Sequence, residues 1–150
     1  MIATVAVAAM GFAATVLAAW LNGRSQRQVD REGRILDAKV RSYGACSESL
    51  YEYARATYNR SKTRLQDHSG ADHDVARQEA YRANAKARSA IGQVAMLARS
   101  QSLAEELARA RNEIGTLNDA TDLEDLLGRQ QRVYEVLTAA LTEARSDLME

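Results

Sequence analysis

Polar and apolar positions divide the chain into two regimes. Ile2–Leu21 carry no charge, and only Thr4 and Thr15 bring polar side chains, whose hydroxyls can bond back to helical carbonyls. A helix rises about 1.5 Å per residue, so about 20 apolar residues span the roughly 30 Å of bilayer hydrocarbon. A core helix of a soluble domain would show a polar stripe, and this stretch has none. A secretion signal would place Lys or Arg ahead of a shorter apolar run and end on small residues. Here no basic residue precedes Ile2, and Trp20 and Leu21 close the run. The pattern predicts a transmembrane anchor over residues 1–22. A cleaved signal and a buried soluble helix are the alternatives.

After residue 23 the pattern becomes periodic. Val29, Leu36, Tyr43, Leu50 and Thr57 recur every seven residues, with Val40, Cys46, Tyr53 and Ala54 three or four positions away. This heptad-like seam predicts a helix over about 24–66, interrupted in quality by Gly33, Gly44 and Ser47. "DHSGADHD" (67–74) marks a turn. A second helix is expected over about 74–118. Its apolar candidates are Val75, Tyr81, Ile91, Val94, Leu97 and Ala98, then Leu103, Leu107, Ala110, Ile114 and Leu117. Ser102 with Glu105 fits a capping box, so the chain has either a loop or a kink near 100–102. Gly115, Asn118 and Asp119 loosen the chain again, and Thr121 with Glu124 fits a second capping box. The last helix is expected over about 122–148, with Leu123, Leu126, Leu127, Val133, Tyr134, Leu137, Leu141, Ala144 and Leu148 on its apolar side.

These lengths suggest an architecture. Residues 24–66 would make a helix of roughly 65 Å, which 74–118 could retrace. The expected fold class is all-α: one N-terminal transmembrane helix, then an antiparallel (up-down-up) three-helix, coiled-coil-like bundle over 23–150.

Composition agrees with helix. The 150 residues include no proline and few aromatics. The formal net charge of zero hides an asymmetry: residues 24–101 hold fifteen basic and nine acidic side chains, residues 102–150 five and eleven. The two halves are expected to attract each other, although individual exposed pairs are weak. Cys46 is the single cysteine, so no intramolecular disulfide can form, which suits a reducing cytoplasm. Only Lys39, Lys62 and Lys86 among twenty basic residues are lysine, a bias associated with GC-rich bacterial genomes. Lys and Arg beside a span tend to stay cytoplasmic. Arg24, Arg27, Arg31 and Arg34 therefore orient the chain with its N-terminus outside and the remainder at the cytoplasmic side of the cell membrane. Trp20 and these arginines form the expected membrane interface.

Candidate chemistry is sparse. His68 and His73, with Asp67, Asp72 and Asp74, concentrate metal-ligand types, but they sit in an apparent turn without cysteines or a helical His pair, and a solvated loop is the better reading. Tyr51, Tyr58, Arg55, Arg60, Lys62 and Arg64 interleave aromatic and basic residues. They form a candidate partner surface, set against a helix that buries its rings and wets its arginines. Cys46 reads as a small buried side chain rather than a reactive thiol. Phosphate loops, HExxH and GxSxG are absent from the sequence, and no catalytic residue, cofactor site or metal site is expected. The implied function is a non-enzymatic, single-pass scaffold that tethers a protein partner, or another copy of itself, at the bilayer. Nucleic acid and small-molecule substrates are not indicated. The alternatives are a phage-type lysis protein or toxin oligomerising through its span, and a signal-cleaved extracytoplasmic helical protein.

Overall fold

With no proline to interrupt them, the periodic segments fold as long helices. The structure is a computed structural model that describes residues 2–66 and 70–149, with side chains from residue 26 onward. Among these residues the chain forms four α-helices and one short 3-10 helix, with no strand. They are α1 (Ile2–Leu65), α2 (Gly70–Leu97), α3 (Gln101–Gly115), the 3-10 turn Thr116–Asp119, and α4 (Leu123–Met149). The chain divides into two units, Met1–Asp37 and Ala38–Glu150.

The first unit is helical from Ile2. Its described side chains are exposed, including Val29, Ile35 and Leu36. Val29 and Leu36, expected in a buried seam, therefore lie on the surface. Among the described residues no helix is long and apolar enough to cross a membrane. The expected span over 1–22 lies where side chains are outside the described residues, as do Trp20 and Arg24.

The second unit holds four helices where three were expected. The chain reverses at residues 98–100 instead of continuing or kinking. Ser100 takes an extended backbone (φ −114°, ψ 136°), and its Oγ accepts the Ser102 N–H at 3.2 Å. Ser100, not Ser102, is thus the N-cap of α3, and Glu105 accepts from Gln101 Nε2 rather than closing a capping box. Contacts between helices fix the directions. The start of this part of α1 meets the end of α4 (Lys39 and Tyr43 with Asp147). The end of α1 meets the 3-10 turn, where Ser61 Oγ donates to Leu117 O at 2.8 Å. Lys86 and Tyr81 of α2 reach Glu52 and Arg60 of α1 in antiparallel order. The result is an up-down-up-down bundle in which α3 packs between α2 and α4. The last helix descends, where the three-helix expectation had it climbing.

Each helix supplies a seam at 3.5-residue spacing. On α1 the buried positions run Lys39, Tyr43, Cys46, Leu50, Tyr53, Thr57 and Ser61. The expected Val40 falls beside this seam and is exposed. On α2 the seam is mostly alanine: Ala76, Ala80, Ala83, Ala87, Ala90 and Val94, with Ile91 beside them. The larger Val75 and Tyr81, expected to be core, are 57% and 59% exposed because they lie off that line. α2 also begins at Gly70, four residues before the expected start, which places Asp72 in the first turn, where a carboxylate favours the helix dipole. Leu103, Leu107, Ala110 and Ile114 of α3 and Leu126, Val133, Leu137, Ala140 and Ala144 of α4 complete the core. Leu123, Leu127 and Tyr134 were expected on the apolar face and are exposed.

The start of α4 is capped one residue later than its sequence signature. Asp122 Oδ1 accepts the Asp125 N–H at 2.8 Å, and Asp125 Oδ2 accepts the Thr121 N–H at 3.0 Å. The capping carboxylates are those of Asp122 and Asp125, which take the Asp125 and Thr121 N–H groups, rather than the side chains of Thr121 and Glu124.

Candidate interaction surface

A helix turns 100° per residue, so Tyr51, Arg55, Tyr58 and Lys62 share one stripe of α1, while Arg60 and Arg64 point elsewhere. The structure separates the six sequence-predicted residues accordingly. Tyr51, Arg55 and Tyr58 line an open groove of about 570 Å³ with Gln130 and Tyr134 of α4, flanked by Glu48, Glu52 and Lys86. Tyr51 and Tyr134 are exposed and Tyr58 is half-buried. Exposed Leu127 and Leu123 continue the α4 side of this line at helical spacing from Gln130 and Tyr134. Lys86 Nζ lies 2.7 Å from Glu52 Oε2, which holds the Glu52 carboxyl below the usual carboxylate range and the Lys86 ammonium above its ordinary value.

The other two arginines serve the fold. Arg60 lies 5.3 Å over the Tyr81 ring, a cation–π contact that ties α1 to α2. Arg64 donates to Asn118 O at 3.1 Å and Ala120 O at 2.6 Å. Arg129 donates to Thr116 O and forms a two-point contact with Asp125. These cations sit where carbonyls lose their helical partners, at the negative end of α3. Lys62 is exposed.

The membrane-interface residues Arg27, Arg31 and Arg34 are exposed on α1. Arg27 and Arg31 line an open cleft with Gln28, Glu32 and Ile35, and Arg34 Nε donates to Asp30 O at 3.2 Å. Asp67 and His68 lie outside the described residues, while Asp72, His73 and Asp74 belong to the first turns of α2. Among the described residues no three His, Cys, Asp or Glu side chains converge as metal ligands. Cys46 is buried in the core, and burial pushes its thiol up to about 11.

A polar cluster that the sequence reading passed over closes one end of the bundle. The Asp147 carboxylate accepts from Lys39 Nζ (2.9 Å), Tyr43 Oη (2.6 Å) and the Arg99 N–H (3.2 Å). It thereby joins α1, α4 and the α2–α3 connection. The Lys39 and Asp147 side chains are only 9% and 8% exposed. Burial alone would raise the Asp147 carboxyl, but the bonds from Tyr43, Lys39 and Arg99 outweigh it and hold it below its ordinary range. Burial and the adjacent carboxylate push the Tyr43 phenol well above its ordinary value. The signal was present in the spacing: Lys39 precedes Tyr43, Cys46 and Leu50 on one seam, and Asp147 follows Leu137, Ala140 and Ala144 on another.

Comparison with known proteins adds a lineage to this geometry. No curated protein and no solved structure matches the chain. The family model described as KilB plasmid transfer protein matches residues 40–148, which takes in the bundle from just after Lys39 to just past Asp147. The chain belongs to the KilB plasmid transfer protein family.

Proposed function

We propose that the chain is a non-enzymatic, single-pass membrane scaffold that docks a protein partner at the cytoplasmic face during plasmid transfer. The observation that carries this reading is the α1–α4 groove, whose Tyr51, Tyr58 and Tyr134 stay at least partly accessible within the region matched by the family. Tyrosine rings lose little entropy on binding and combine apolar area with a polar tip, the kind of side chain that anchors protein interfaces. The uncharged run Ile2–Leu21 followed by Arg24, Arg27, Arg31 and Arg34 supports an anchor with the bundle inside. Such an anchor raises the effective concentration of the groove at the membrane without requiring tight intrinsic contacts.

The test has two arms. A C-terminal reporter active only in the cytoplasm should work in intact cells, and the bundle should be shielded from external protease. Tyr51→Ala with Tyr134→Ala should reduce both co-purification of a partner after mild detergent extraction and plasmid transfer frequency, with expression unchanged. Protease access from outside would refute the orientation. Unchanged transfer and co-purification would refute the groove. Dye entry into cells on expression would instead favour the lysis-protein reading.

A further inference from the structure

We infer that copies of this chain associate side by side through opposite faces of the bundle, the basic α1–α2 face of one copy against the acidic α3–α4 face of the next. The charge asymmetry read from the sequence acquires a direction in the fold. Around the bundle axis the order is α1, α2, α3, α4, so the α1–α2 and α3–α4 pairs form opposite sides. Residues 38–97 carry ten basic and six acidic side chains, and residues 101–149 carry five and ten. One side is therefore positive and the other negative by similar amounts.

The expected attraction between the halves is made within the bundle by the buried Lys39–Asp147 pair. Arg77–Asp74, Lys86–Glu52, Arg109–Glu106 and Arg129–Asp125 each pair within one half. Most of the opposite charge thus faces outward. The α1–α2 side also has relief: an open groove of about 490 Å³ in which Arg55 and Arg82 flank Asn59, with Lys86 neutralising Glu52 and Glu79 as the remaining acid.

These features select a second copy as the occupant. The acidic face matches the basic one in magnitude, and the chain as a whole is neutral. A two-fold contact centred on either charged face would press like charge on like charge, so a contact that joins the basic face to the acidic one is head-to-tail, which builds rings or rows rather than closed dimers. Single exposed pairs are weak, but a whole face acts through its summed field. Nucleic acid fits less well. DNA-binding surfaces often make roughly 6–10 phosphate contacts, whereas the basic side has a small excess interspersed with Glu48, Glu52 and Glu79.

The experiment uses the full chain in a mild non-ionic detergent, with mass measured by light scattering. Arg77→Glu with Arg82→Glu reverses part of the basic face outside the α1–α4 groove. Glu105→Arg with Glu143→Arg reverses part of the acidic face. Wild type should be oligomeric at ~50 mM salt and monomeric near ~1 M, where the Debye length falls to ~3 Å. Each double variant alone should self-associate at least about tenfold more weakly, while an equimolar mixture should recover association through the two unaltered faces. Circular dichroism checks that each variant is folded, and the neutral pairs R77Q/R82Q and E105Q/E143Q replace any that is not, with the same losses expected. Salt-insensitive association, or variants that still self-associate, would overturn the inference, as would a mixture that fails to recover. Duplex DNA bound by wild type and lost in R77E/R82E, with self-association unchanged, would also overturn it and assign the basic face to nucleic acid.

Discussion

Asp147→Ala should be among the most damaging polar substitutions in the bundle. The carboxylate accepts three hydrogen bonds from Lys39, Tyr43 and the Arg99 N–H, and its removal leaves the Lys39 ammonium without its counter-charge in a largely buried position. Breaking a buried pair by removing one partner costs about 3–5 kcal/mol. The cluster lies at the end of the bundle and Lys39 can turn its head group toward water, so the expected loss is about 2–4 kcal/mol. At about 4 °C per kcal/mol for a domain of this size, Tm should fall by roughly 8–16 °C. The measurement is thermal unfolding of the full chain in detergent, followed by circular dichroism. Lys39→Met combined with Asp147→Leu removes both charges and should recover the part of the loss that comes from the stranded Lys39 ammonium, while the part from Tyr43 Oη and the Arg99 N–H, which still lack their acceptor, remains. The pH dependence gives a second readout. The Asp147 carboxyl is lower in the folded state, so its stabilisation is present above the ordinary carboxylate value of about 3.9 and is lost as pH falls below it. The Tyr43 phenol is raised on folding, so its contribution is present below about pH 10 and disappears as pH climbs further. Wild type and Asp147→Ala should therefore converge in acid. A Tm change under about 2 °C at neutral pH, or parallel curves down to acid, would refute the role assigned to this cluster.

Leu137 is 0% exposed, and Leu137→Asp should cost on the order of 5 kcal/mol, enough to unfold the bundle, while exposed Glu143→Gln should be nearly neutral in the same melt. Gly44 and Gly92 are exposed mid-helix positions where an added Cβ meets nothing within 4 Å, so each change to Ala should stabilise by about 0.5–1 kcal/mol in urea unfolding; destabilisation would mean that something packs on those faces. Replacing residues 1–22 with an unrelated span of the same length and orientation should preserve co-localisation with the partner, whereas loss of it at unchanged expression would move recognition into the span.

Helicity was legible from the sequence because it depends on local features: no proline, apolar positions at 3.5-residue spacing, and polar clusters at the breaks. The buried Leu50, Leu107, Ile114, Leu126 and Leu137 were readable for the same reason, since large aliphatic side chains on a seam have few alternatives. Three things were not local. A helix that continues past Ser100 and one that reverses there share the same heptad pattern, and only the docking of α3 between α2 and α4 decides between them. The core face of α2 was hidden because alanine is common on every side of this chain; close approach of neighbouring helices selects Ala76–Ala80–Ala83–Ala87–Ala90 over the bulkier Val75 and Tyr81. Charged seam positions give no local signal of burial, because burying Lys39 or Asp147 alone is prohibitive. Their pairing across 108 positions of sequence exists only once α1 and α4 lie antiparallel. The candidate surface divides in the same way: the stripe Tyr51, Arg55 and Tyr58 follows from helical spacing, whereas its partner Tyr134, and the loss of Arg60 and Arg64 to Tyr81 and the 3-10 turn, were fixed by which helices became neighbours.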